Sequence, residues 1–236
     1  MLPNPFRTPL SIEPWLSSWP TSAVNAGHAA RSPLFDDGAF ELLPIPEKHK
    51  WRPPMLRLRD VGRLARHAPA GWRDRAVHLD PDLRSTTPTY GDNCRRAGRA
   101  FSLRRAKADD AIVFFARLHP ADRRAAFWFV GALMIEDVLP DVERDPGAGW
   151  WDGNAHVRRA RATDTWDSFW VFKGGCGSRL FERALPLGRD RLETLLGTPL
   201  RWPSNRTDLQ TIGSYTRAIR RIEGKGEEWL RSICLS

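Results

Sequence analysis

His78, Asp80 and Asp82 form the first group in this 236-residue chain whose types and spacing can do chemistry. Residues two apart in an extended segment point to the same side, so one imidazole and two carboxylates could converge on a metal ion or on a proton in transit. Pro81 interrupts that geometry, because the residue before a proline is held extended and the strand stops there, and the sequence assigns no metal site. The plainer alternative is that His78 satisfies a buried hydrogen bond while the aspartates accept from turn amides.

A second group is Asn154-Ala155-His156-Val157-Arg158-Arg159. Read as extended, it sets a histidine two residues before an arginine. An imidazole exchanges protons near neutral pH, and a guanidinium grips phosphate. A solvated basic loop fits the same spacing. A third group, Gly174-Gly175-Cys176-Gly177-Ser178-Arg179, could cradle a phosphate with backbone amides at a helix start. It lacks the Lys-Ser or Lys-Thr of a P-loop and the third glycine of the dinucleotide fingerprint, and a plain strand-to-helix turn also accounts for it. Cys176 becomes a nucleophile only where something lowers its pKa. There is no H-E-x-x-H, no G-x-S-x-G and no deaminase pair of H-x-E with P-C-x-x-C, which disfavours those enzyme classes.

The elements that must position these groups are legible from apolar density. Ala111-Ile112-Val113-Phe114-Phe115 and the run from Phe127 to Ile135 are short, aromatic and β-branched, with Pro120 between them; they read as two central strands. Gly131 inside the second marks a bulge or a close backbone approach. Phe40 to Leu43 reads as a short strand, a helix opens near Asp60, and Arg75 to Leu83 is a strand that Pro81 ends. Thr89 to Asn93 reads as a turn whose Asp92 or Asn93 caps a helix through about Lys107, with Arg95, Arg96 and Arg99 together on it. A long loop from Pro140 to Gly153 displays Trp150 and Trp151, and an aromatic strand runs from Trp166 to Phe172. Helices follow at Ser178, at Asp190 to Leu196 with Gly197 closing it, and from Asp208, where Ile212, Tyr215, Ile219 and Ile222 share a face.

Composition narrows the partners. Lys and Arg total 37 against 28 Asp and Glu, a net charge of +9, carried largely by arginine, whose fork matches phosphate geometry. Nucleic acid is the favoured partner, beside the alternative of a basic protein with no such role. Three widely separated cysteines without a C-x-x-C pair suit a reduced, cytoplasmic protein. No apolar run of about 18 residues is present to span a membrane. The proline-rich stretch before Pro20 lacks the plan of a secretory signal and reads as an extended arm, with Trp15 and Trp19 as anchors.

Taken in order, Asp37-Gly38, Leu43-Pro44-Ile45-Pro46-Glu47, His78-Leu79-Asp80-Pro81-Asp82-Leu83, Asp110-Ala111-Ile112-Val113-Phe114-Phe115, Phe129-Val130-Gly131 and His156-Val157-Arg158 resemble the third of the nucleotide modification associated domain families. The resemblance covers roughly Ser32 to Leu185 and leaves the arm and the C-terminal helix outside. Asp109 stands where the family has glycine, and Leu42-Leu43 where it has Ser-Leu. The resemblance implies a bacterial or phage protein concerned with hypermodified bases in DNA.

The expected fold is α+β: a central, largely antiparallel twisted sheet flanked by helices, a PUA-like barrel being one version, with an arm over residues 1–31 and a single domain over 32–236. The first functional expectation is a DNA base modification protein acting on a flipped or single-stranded base. His78, Asp80 and His156 would serve as acid, base or ligand. Arg95, Arg96, Arg99, Arg158 and Arg159 would hold DNA, and Trp150 or Trp151 would stack. The alternatives are a non-catalytic reader of modified bases and a basic, defence-associated accessory protein. The sequence names no cofactor and leaves open whether the protein is an enzyme.

Overall fold

The apolar runs after Asp109 become the two longest strands of a mixed sheet. The structure, a computed structural model, describes residues 10–15, 32–43, 45–47, 57–60, 70–95, 101–122, 124–215, 219–220, 222 and 224–234. In chain order its elements are β1 (Leu10–Trp15), β2 (Pro33–Leu34), β3 (Ile45–Pro46), β4 (Val77–His78), β5 (Thr89–Asp92), β6 (Ala111–Pro120), β7 (Ala126–Val142), α1 (Ala155–Thr163), β8 (Phe169–Gly174), β9 (Arg179–Pro186), α2 (Arg189–Leu196), α3 (Asp208–Tyr215), β10 (Ile219–Arg220) and α4 (Lys225–Cys234).

β6 and β7 pair antiparallel from Ala111 opposite Met134 to Leu118 opposite Ala126. β8 and β9 follow one another along the other edge of β7, from Phe169 opposite Val142 to Pro186 opposite Trp128. β5 extends that side by pairing with β8, and β1 then β10 extend the side beyond β6. β1 and β2 run parallel to β6, while the remaining strand pairings are antiparallel. The fold is thus α+β with a largely antiparallel sheet, as expected, but the sheet is not a PUA-like barrel. Its path ends at β10 and β5, and the outer edge of β5 is taken by the Asp80–Asp82 turn rather than by a strand: Asp82 and Thr89 exchange both backbone hydrogen bonds at 2.9 Å.

β6 is buried on both faces, so its apolar residues run continuously instead of alternating. Ile112, Phe114, Ala116 and Leu118 face a core shared with Tyr90, Leu103 and Phe172. Ala111, Val113 and Phe115 face a second core built with Phe129 and with residues of α2, α3 and α4, among them Leu192, Ile212 and Leu230. A smaller cluster places Val157 and Ala160 of α1 over Phe169 and Val171 of β8. Both readings of Gly131 hold. The register of β7 skips Val130 against β6 and against β9, and a Cβ on Gly131 would stand 2.6 Å from the backbone oxygen of Arg179.

Several local expectations are corrected. Residues 89–92 form a strand rather than a turn, because the edge of β8 offers Gly91 and its neighbours a pairing that local turn propensity does not register. No helix opens at Ser178: the Gly175–Ser178 turn leads into β9, and Ser178 Oγ accepts the Met134 amide at 2.9 Å, so the glycines serve a turn between two strands. Phe40 contributes an isolated bridge to Leu34, and Ala39 one to Arg183, in place of a strand over 40–43. A 3-10 turn at Leu58–Asp60 leads up to the helix expected to begin at Asp60, whose own residues 61–69 lie outside the described ones; of the helix expected after Asn93, residues 96–100 also lie outside them, and Phe101–Arg105 form a 3-10 turn. The expected C-terminal helix ends at Tyr215, and Ile219 belongs to β10. Among the described residues no helix is long and apolar enough to cross a membrane.

Candidate functional site

The site is assembled from three segments that are remote in sequence. The antiparallel pairing of β3 with β4 sets Ile45 opposite His78, and the Glu47 amide continues it by donating to the Ala76 oxygen at 2.8 Å. Glu47 therefore emerges beside His78, and its Oε1 lies 2.8 Å from His78 Nδ1. Two residues on, at the cis Asp80–Pro81 bond, the chain turns back toward β5. Asp80 is buried, and its Oδ1 and Oδ2 accept the Gly91 amide at 3.1 and 3.0 Å.

His156 arrives from the opposite side on a helix, not on the extended segment that its spacing suggested. Asn154 caps α1: its Oδ1 accepts the His156 amide at 2.9 Å, and its Nδ2 donates to Thr89 Oγ1 at 3.2 Å. The cap ties the helix start to β5, the strand that also holds Asp80. His156 Nε2 consequently lies 3.3 Å from Asp80 Oδ2, and His78 Nε2 lies 3.8 Å from the same oxygen. The two imidazoles meet edge to face with centroids 4.5 Å apart. His156 also leans on Phe169 at 5.4 Å, and its buried Nδ1 has no hydrogen-bond partner among the described residues.

Burial dominates the electrostatics. It pushes the Asp80 carboxyl well above the ordinary aspartate range against the pull of the His78 charge and the Gly91 amide, with the nearby Asp92 and Asp82 adding to the rise. Burial likewise drives His156 well below the ordinary histidine value, helped by repulsion from His78 and Arg159; its place in the first turn of α1 acts in the same direction. Glu47 behaves differently. Burial alone would raise it, but the hydrogen bond with His78 and the positive charges of His78, Arg159 and His156 hold it below the ordinary glutamate value. Asp80 and His156 are thus shifted toward their neutral forms, in a contact across which a proton can be shared, while Glu47 is shifted toward its ionised form. His78, Asp80 and His156 also each offer one donor atom, all within 4.8 Å of one another, so the same three residues could hold a cation.

The remaining candidates are distributed around this cluster. Asp82, spaced like Asp80, is a turn residue: its Oδ1 accepts the amides of Arg84 and Ser85 at 3.3 and 3.2 Å. Arg158 and Arg159 follow His156 on α1, both half-buried, and Arg159 pairs with Asp167 at 3.0 Å. Arg95 is tied to Asp141 and Glu143, whereas Arg96 and Arg99 lie outside the described residues. Trp150 and Trp151 are half-buried, edge to face at 5.3 Å, and packed against Val142, Val157 and Phe169. Their indole N–H groups donate to Asp137 Oδ2 and to the Gly147 oxygen, each at 3.0 Å.

Sequence reasoning did not assign Glu47, Gly91 or Asn154 to the site. Asn154 carried a usable signal, an Asn two residues before a histidine at the start of a helix. Gly91 carried none, since its role is spatial: a Cβ there would meet His156 Cδ2 at 2.6 Å.

Comparison with known proteins adds the family. No curated protein and no solved structure was found to match the chain. The family described as nucleotide modification associated domain 3 matches residues 24–227, extending past the 32–185 resemblance to take in α2, α3 and the start of α4. Glu47, His78, Asp80 and His156 all fall within that match, and the chain belongs to the nucleotide modification associated domain 3 family.

Proposed function

We propose that this protein takes part in nucleotide modification as an enzyme acting on a base in DNA, with His78, Asp80 and His156 as its reacting centre. The observation that carries the reading is the convergence of these three side chains from two remote segments into a buried cluster, each anchored by a separate device: Glu47 for His78, the Gly91 amide for Asp80, the Asn154 cap for His156. Two titratable groups perturbed by burial, Asp80 and His156, brought together at such cost in desolvation mark a site where protons or ligands are handled. Family membership supplies the nucleotide as the object. The net charge of +9 suits a polyanionic partner, and Arg158 and Arg159 sit in the same helical turns as His156, where they can receive a phosphate flanking the base. Chemistry on a base requires the base outside the stack, as a flipped or single-stranded nucleotide.

A reader of modified bases would need an open aromatic pocket. The exposed-looking tryptophans of the sequence are instead packed on each other and held through both indole N–H groups, which favours the reacting centre. The test is mass spectrometry of nucleosides from DNA of cells carrying the wild-type gene, no gene, or His156→Ala. A modified nucleoside present only with the wild-type gene supports the proposal; identical profiles in all three remove it and return the reader or accessory role.

A further inference from the structure

We infer that His78 Nε2, Asp80 Oδ2 and His156 Nε2 form a binding site for a divalent first-row transition ion, with Glu47 as the outer carboxylate that orients His78. The inference deepens the proposed function by naming the reagent of the same site, and it rests on that reading only for the ion's use, not for its binding.

Geometry supports it first. Metal–nitrogen and metal–oxygen bonds of about 2.0–2.2 Å place adjacent donors about 3–3.5 Å apart. The two donor pairs that include Asp80 stand at 3.3 and 3.8 Å, and all three donors lie within 4.8 Å of one another. The Asp80 pairs need movements of a few tenths of an ångström at most, and the two imidazoles would have to close by up to about 1.3 Å to seat an ion among the three.

The second observation is the direction of His78. Metal-bound histidines characteristically donate the other ring N–H to a carboxylate, which sets the tautomer and raises the basicity of the ligating nitrogen. Glu47 Oε1 at 2.8 Å from Nδ1 is placed for this part, with Nε2 on the Asp80 side of the ring, where the neutral imidazole would present its lone pair to an ion. The Gly91 amide plays the matching part for Asp80, fixing a carboxylate that has no Lys or Arg ion pair within 4 Å among the described residues.

Third, the donor set has a chemical identity. Two imidazoles and one carboxylate without a thiolate suit Fe(II), Mn(II), Co(II) or Zn(II), and three protein ligands leave coordination positions for water or a substrate atom. His78 keeps 14% and His156 10% of its side-chain surface open to solvent.

The test is titration of the metal-free full chain with Co(II), followed by its visible absorption, with competition by Zn(II) and metal content counted after desalting. One ion per chain is expected. Asp80→Asn and His156→Ala should abolish the absorption band. Glu47→Gln should weaken binding about 10- to 100-fold, and Asp145→Asn, at an exposed pair with Arg161, should leave it unchanged. No saturable uptake by folded wild-type protein overturns the inference, as does uptake that Asp80→Asn leaves intact. Should His156→Ala fail to fold by circular dichroism, Glu47→Gln decides, and unaltered affinity there overturns the site. Metal binding with unchanged DNA nucleosides would keep this centre and remove base modification; changed nucleosides without metal binding would do the reverse.

Discussion

The imidazole of His156 stands against the Cα of Gly91, where a Cβ would fall 2.6 Å from His156 Cδ2 and 3.0 Å from Asn154 Oδ1. The same glycine's amide holds Asp80. One residue of an edge strand thus sets the separation between the carboxylate and the helix that bears the histidine. Gly91→Ala is expected to lower stability by about 1–3 kcal/mol through overpacking and to reduce nucleoside modification more than this stability loss explains. Denaturant unfolding and nucleoside analysis of one preparation check it; full stability with full modification would show that the contact does not position His156.

The core on the helical side of the sheet depends on Phe129, which is fully buried and meets the rings of Phe115, Phe181 and Trp229 at 5.5, 4.8 and 5.3 Å. Phe129→Ala should cost about 3–5 kcal/mol. A loss below about 1 kcal/mol in urea unfolding would mean that these rings close over the cavity without penalty.

Glu193 ties α2 to the segment after it, accepting the Leu200 amide at 2.9 Å and the Trp202 indole N–H at 2.7 Å. These bonds hold its carboxyl below the ordinary glutamate value of 4.5, the Leu200 amide contributing most. A depressed carboxylate contributes stability that is present above its unfolded value and lost as the pH falls through its folded value. The melting temperature of Glu193→Gln should therefore fall less than that of wild type as the pH is lowered from about 6 to about 3. Parallel melting curves for the two proteins across that window would contradict the assignment.

The cysteines divide by burial. Cys176 is exposed, whereas Cys94 and Cys234 are buried, and burial pushes the Cys234 thiol up to about 11. A thiol-reactive chromogen should label one cysteine rapidly in native protein and all three in denaturant. Cys176→Ser should remove the fast phase, and rapid native labelling that survives this substitution would place another thiol at the surface.

Where neighbours along the chain supply the physics, the sequence was readable. Dense β-branched and aromatic runs gave the central strands, and Trp166 to Phe172 the next, because burial on both faces leaves a continuous apolar signature. Helix α2 ended where Gly197 takes φ +65, a conformation glycine adopts freely. Asp190 to Leu196 needed nothing more distant to be recognised.

The amino-acid sequence by itself determined the α+β class, the strand-forming core, the net charge of +9 and the identity of the three donors His78, Asp80 and His156. Only the tertiary structure decided that they meet. Asp80 and Asp82 have the same spacing from Pro81, yet one faces His156 and the other its own turn amides, and nothing local separates them. Glu47 reaches His78 through the pairing of β3 with β4. His156 reaches Asp80 through β5, which joins β8 on one edge and the Asp80 turn on the other. The free energy of those long-range pairings comes from burying apolar surface that any strand edge of similar shape could cover, so local propensity carries no record of which partner was chosen.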